Sequence, residues 1–296
     1  MTKSILFLSH WAASTRSNRT KRFFFELSLH ILEVMNNLIR IVLFAFTLSL
    51  CACGVLLDLA NKEVKLNDSN SSPISHDKWT ALLQKHVHGD KVDYKGIIKD
   101  SVLFNSYIQE LESSLPNDNN WSKDEQFAYW VNAYNAFTVQ LIIDNYPVKS
   151  IKDIKGGIAF VNTVWDVKFI KIEDQELDLN NIEHGILRKK FEDPRIHFVA
   201  NCASISCPAL MNEAYTADKL EEQLNKAGRV FLNDNSKNKL DPDNPKLSPL
   251  FSWYKPDFTK DQSLIEFVNK FLDEPINDTA NVSKTDYDWN LNDIKE

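Results

Sequence analysis

Two cysteines, Cys202 and Cys207, lie in the run Cys-Ala-Ser-Ile-Ser-Cys-Pro that ends at Pro208. A thiol acts as a nucleophile only as its thiolate, so its surroundings decide whether it reacts. Three uses fit the pair. One cysteine could be a nucleophile. The two could instead close a structural disulfide between Cys202 and Cys207, which would contribute about 2 kcal/mol. They could also form a redox-active pair, although the spacing is wider than Cys-x-x-Cys. Pro208 suits a first helical position, which would set Cys207 at a helix N-terminus and raise its reactivity. Cys202 directly follows a predicted strand and is the narrow choice as nucleophile, with Cys207 as its resolving or structural partner.

A thiol nucleophile wants a base within hydrogen-bonding reach. His184 sits beside Glu183 on a predicted short helix, and Arg188 one turn on favours the neutral imidazole that a base needs. Glu183 or Asn135 could orient that base. His197 is the other nearby histidine. If residues 195–201 form a straight strand, however, Arg195, His197, Val199 and Asn201 share one face and Cys202 the opposite one. Asn132 and Asn135 interrupt an apolar helix and serve either a buried amide network or the site itself. The seven histidines are dispersed and no Cys, His or carboxylate cluster accompanies them. No metal and no cofactor is therefore expected. Trp165, Trp253 and Trp289 read as core residues.

The elements that must position these groups follow from periodicity. Residues 76–87 place Trp79, Leu82, Leu83 and Val87 at helical spacing, and a second helix covers about 102–111. Ser122 and Glu125 form a capping-box pattern before a long run that is apolar on nearly all sides. Such a helix belongs at the centre of a domain. Alternation over 163–179 suggests a strand, a turn and a partner strand. Asn180 then caps a short helix, and residues 195–201 alternate as a half-buried strand. Helices are predicted over 216–232, 250–254 and 264–272, with a last strand at 287–291. The expected fold class is α+β, helices around a small, mostly antiparallel sheet.

The chain has 296 residues and a formal net charge of −7, which gives no support to nucleic-acid binding. Seven glycines and no glycine-rich loop argue against a nucleotide site. Residues 41–57 are uncharged and apolar. Met35 to Arg40 supply a signal n-region, Ile41 to Leu50 an apolar core, and Leu-Cys-Ala-Cys up to Cys53 resembles a lipobox. Residues 1–34 then read as a wrongly assigned start, 35–53 as a lipoprotein signal with Cys53 lipidated, and 54–75 as a flexible tether. An uncleaved transmembrane helix is the alternative, at the short limit for a span. Either way the expectation is a bacterial envelope protein, anchored in the bilayer and facing the periplasm, with one globular domain over 76–292. About 220 residues suffice for a single core.

The runs Phe-Ala-Tyr-Trp-Val-Asn-Ala-Tyr-Asn-Ala-Phe137, Ile-Glu-His-Gly-Ile-Leu-Arg188 and the cysteine segment resemble the domain-of-unknown-function family numbered 547. The tail pieces at 251–258 and 287–291 resemble it too. The resemblance implies family membership across the exported domain and no particular chemistry. Two readings of function stand together. One is a thiol-dependent hydrolase or transferase using Cys202, His184, Glu183 and Asn135. The other is a non-enzymatic envelope binding or assembly module with a Cys202–Cys207 disulfide.

Overall fold

The computed structural model describes residues 69–155 and 163–294. The expected start at Met35, the lipobox and most of the tether lie outside them. From Ser69 onward the chain is already tied to the domain. Ser69 donates to Glu173 at 2.8 Å, and the backbone carbonyl of Ser71 accepts from Asn117 and from the Trp121 indole, each at 3.0 Å.

Among the described residues five elements precede the central helix: α1 (Asp77–His86), the antiparallel pair β1 (Val87–His88) and β2 (Lys91–Val92), α2 (Tyr94–Lys99) and α3 (Ser101–Glu112). The apolar face of α1 buries Trp79, Leu82 and Leu83, and Trp79 stacks on Tyr107 of α3. The central helix α4 (Lys123–Asp144) begins where the capping box places it. Ser122 Oγ accepts from the Glu125 amide and Glu125 accepts from the Ser122 amide. Most of its length is buried on every side, as the sequence pattern requires. Among the described residues no helix is long and apolar enough to cross a membrane.

The fold is α+β, but the strands do not form one sheet. They make three separate pairs among the described residues. The pair β3 (Ile170–Ile172) and β4 (Gln175–Leu177) is antiparallel and turns through Glu173, whose φ of 50° is left-handed. Only the second half of the expected 163–179 hairpin is extended, because residues 164–166 form a 3₁₀ turn capped by Thr163. A third pair, β5 (Lys246–Leu247) with β6 (Ser283–Lys284), is parallel. Residues 287–291, expected as a last strand, make only isolated contacts: Leu291 bridges Ser204, and Asn292 and Asp293 flank Val92.

The expected strand at 195–201 is also corrected. Residues Ile196–Val199 form a short helix, α5. Asp193 and Pro194 start it: the Asp193 carboxylate accepts from the Arg195 amide at 2.9 Å, and Pro194 fixes a helix-compatible φ. Phe198 then anchors α5 among Phe231, Phe251, Phe258, Phe267 and Phe271. The segment before α5, Asn181–Phe191, is a π-helix eleven residues long, a wide winding that is rare and recurs at functional sites. It packs along α4. The remaining helices are α6 (Leu220–Leu232), α7 (Leu250–Trp253), α8 (Lys255–Phe258) and α9 (Leu264–Asn269).

Candidate active site

A cavity of about 390 Å³ opens between the π-helix, the 200–207 loop, α7 and the C-terminal tail. Glu183, His184, His197, Cys202 and Cys207 all line it, with Tyr134, Tyr254 and three tryptophans, Trp165, Trp253 and Trp289. Three of the four residues expected to be catalytic therefore meet in one place. Asn135 does not line it.

Asn135 holds the loop instead. From the middle of α4 its side-chain amide donates to the Val199 carbonyl at 2.9 Å and accepts from the Asn201 amide at 2.8 Å. Asn132, one turn earlier, grips Tyr215 in the same two-point manner. Both are fully satisfied amides, and each fixes a backbone segment against the central helix. Asn201 continues the chain of support. It accepts from the Ala203 amide at 2.9 Å and donates to the Pro208 carbonyl at 2.7 Å. These bonds hold Ala203 at a φ of 60°, a conformation that costs a non-glycine residue about 1 kcal/mol or more. The loop is thus built at some expense around Cys202.

The two sulfurs lie 2.8 Å apart and unbonded, beyond the ~2.05 Å of a disulfide. Cys202 is half-buried, while Cys207 is buried. The Cys202 sulfur is within reach of Cys207, of Ser204 Oγ at 3.4 Å and of the Tyr287 hydroxyl at 3.4 Å. Hydrogen bonds to the charged form favour it. The donor thiol of Cys207 first, then Ser204 and Tyr287, pull the Cys202 pKa down to about 7 against its burial. Burial and the neighbouring Cys202 charge push Cys207 far up. The expected helix at Pro208 is absent, since residues 208–210 are irregular, so no helix terminus activates Cys207. Of the two thiols, these contacts favour the thiolate on Cys202.

Tyr134 and Tyr254 donate to Glu183, the latter at 2.9 Å, and both phenols are pushed up by burial and that carboxylate. His184 Nδ1 is 3.2 Å from the Arg188 guanidinium and 3.8 Å from Glu183 Oε1. Arginine can only donate, so neutral His184 accepts at Nδ1 and carries its proton on Nε2.

Sequence reasoning placed His197 on the wrong face, because it assumed a strand. On α5, His197 lines the same cavity as Cys202. Its Nε2 is 2.7 Å from Asp257, and its ring stacks on Tyr254 with centroids 3.8 Å apart. Asp257 also takes two bonds from Arg188, at 2.7 and 2.8 Å. His197 and Arg188 hold the Asp257 carboxyl well below the usual range despite its partial burial. Burial lowers the His197 pKa more than Asp257 restores it, so the ring is neutral at pH 7. The carboxylate accepts from Nε2–H, which leaves Nδ1 with a free lone pair.

Trp253 is 49% exposed and stacks on Trp289 at 5.8 Å, and Trp165 meets Trp289 edge-on. Tyr287 packs on both Trp253 and Trp289. The tryptophans expected in the core form a wall of the cavity instead. No group of three or more His, Cys, Asp or Glu arranged to hold a metal occurs among the described residues.

Residues 119–232 match the family described as "Protein of unknown function, DUF547". The match includes α4, the π-helix and both cysteines but stops before Trp253, Tyr254, Asp257, Tyr287 and Trp289. No curated protein and no solved structure matches the chain.

Proposed function

For a chain whose residues 119–232 match the DUF547 family, we propose a thiol-dependent hydrolase or transferase that uses Cys202 as its nucleophile. One observation carries the reading: the half-buried Cys202 sulfur lines a cavity and has three hydroxyl or thiol groups within reach. With a pKa of about 7, close to half of it is thiolate at neutral pH without a histidine to take its proton. In acyl transfer the thiolate attacks the carbonyl carbon and a C–S bond forms. The leaving group departs with a proton drawn from solvent, while His184 Nε2–H offers it a hydrogen bond without giving its proton up. His197 Nδ1, with Asp257 fixing its tautomer, can then accept a proton from the incoming water or acceptor. Glu183 and Asn135 act as positioning groups, the first on His184 and Tyr254, the second on the loop. The unbonded sulfurs favour this reading over a purely structural disulfide.

Iodoacetamide labelling across pH tests it. Cys202 should label with a midpoint near pH 7, and Cys202→Ser should abolish that phase. A midpoint at the ordinary thiol value of about 8.5 would sink the proposal.

The same reading holds the protein to the bacterial envelope by a lipid on Cys53, facing the periplasm, with Ile41 to Leu50 as the apolar export core. Its support is the signal-like order of charge, apolar run and Ala-Cys. Radiolabelled palmitate should enter the wild-type chain and not the Cys53→Ala variant. Equal labelling of both would refute the anchor.

A further inference from the structure

We propose that Cys202 and Cys207 together reduce small disulfides, the pair closing to a disulfide as the substrate is cleaved. The inference rests on Cys202 being the nucleophile, and it adds a use for Cys207 that acyl chemistry does not have. Cys207 borders the cavity but is buried, so it is less open to a carbonyl substrate than the half-buried Cys202. The Cys207 sulfur accepts from the Cys202 thiol at 2.8 Å and from the Cys202 amide at 2.9 Å, and its own S–H donates to the Ala200 carbonyl at 3.7 Å until Cys202 ionises and can accept it. That amide contact is a donor aimed at sulfur, and it favours a thiolate on Cys207 once Cys202 has lost its charge. The sulfurs need to close by less than 1 Å to bond, judged against ~2.05 Å.

The electrons balance as follows. The Cys202 thiolate attacks one sulfur of R–S–S–R, the S–S bond breaks, and one RS⁻ leaves with the electron pair. Cys202 is now a neutral mixed disulfide, so the charge that held Cys207 protonated is gone. Cys207 gives its proton to the departing thiolate and attacks the Cys202 sulfur, expelling the second RS⁻. The products are one RSH, one RS⁻ and the Cys202–Cys207 disulfide. Two electrons have passed from the protein to the substrate, and an external thiol restores the dithiol. The geometry also sets the substrate class. Cys202 opens onto a cavity of about 390 Å³ walled by Trp165, Trp253 and Trp289. A low-molecular-mass disulfide with a slender or flat arm fits, whereas a disulfide inside a folded protein does not.

The test is to mix the reduced full chain with oxidised glutathione and map the tryptic peptide 196–219, which carries both cysteines. In the wild type this peptide should lose two hydrogens and bear no adduct, with two glutathione thiols released per chain. Cys207→Ser, which keeps a hydroxyl donor beside Cys202, should stop at one glutathione on Cys202 and, before glutathione is added, still alkylate with iodoacetamide. Cys207→Ala should form the same single adduct more slowly, because Cys202 loses its main thiolate-stabilising contact. A wild-type peptide that alkylates rapidly yet stays glutathionylated overturns the inference and leaves the nucleophile standing. A peptide that neither alkylates nor exchanges removes both.

Discussion

At the scale of single residues, the Cys202 thiolate depends on groups far away in sequence. Tyr287 is one of its hydrogen-bond neighbours and also contacts Ser204 at 3.2 Å. Tyr287→Phe removes one donor and keeps the ring against Trp253 and Trp289. A single hydrogen bond to a charged group is worth roughly 1–2 kcal/mol, so the midpoint of Cys202 alkylation should rise by about 1 pH unit. An unchanged midpoint would mean that Cys207 alone sets the thiolate. Some of this site was legible in the sequence. Cys202, His184 and Glu183 share a short stretch of chain, and residue type alone singles them out. Tyr254, Asp257 and Tyr287 were not legible, since nothing local ties an ordinary tyrosine or aspartate to a cysteine more than fifty positions away. His197 was visible but was turned away by an assumed strand.

At the scale of elements, that strand is instructive. Residues 195–201 alternate polar and apolar, a pattern that four residues of helix can also satisfy when one face meets a phenylalanine cluster. The Asp193-Pro194 pair was the available signal, since it marks a helix start. The capping box of α4 gave its start correctly, because there the local chemistry and the burial pattern agree. The π-helix could not be read, because a wide winding shares its apolar spacing with an ordinary helix over so short a span. Its partner α4 works through Asn135, which grips two backbone groups of the cysteine loop. Asn135→Ala leaves the Val199 carbonyl and the Asn201 amide without that partner, both in buried surroundings. The cost should be about 2–4 kcal/mol. Urea unfolding should show it, together with faster alkylation of Cys207 as the loop loosens. A loss below about 0.5 kcal/mol would show that the clamp is dispensable.

For the molecule as a whole, two buried histidines make stability depend on acid. His76 is buried against the Tyr107 hydroxyl at 2.8 Å, and burial lowers its pKa to about 4. His197 is lowered by burial as well. Both are neutral when folded and take a proton near pH 6.5 when unfolded. The unfolded chain therefore binds more protons below that value, and stability falls as pH drops from about 6.5 toward 4. Each histidine contributes up to about 1.4 kcal/mol per pH unit in its window. Asp257 acts separately and lower: its depressed carboxyl adds stability above about pH 4, which is lost as pH falls further. Urea midpoints should therefore decline between about pH 7 and 4.5, and the decline should be shallower in His76→Gln. A flat profile over that range would contradict the buried neutral histidines.

The C-terminal tail joins parts of the chain that never meet otherwise. Leu291 bonds to the Lys149 carbonyl, Asn292 to the Ala203 carbonyl, and Ile205 to the Asn290 carbonyl, while Tyr94 reaches the Asn292 side chain at 2.7 Å. It also brings Tyr287 and Trp289 to the cavity. A ribosome makes the chain from the other end, so these residues emerge after everything they complete. Until residues 287–289 have been made, Cys202 lacks the Tyr287 hydroxyl and its cavity lacks the Trp289 wall, so the site is completed well after both cysteines exist.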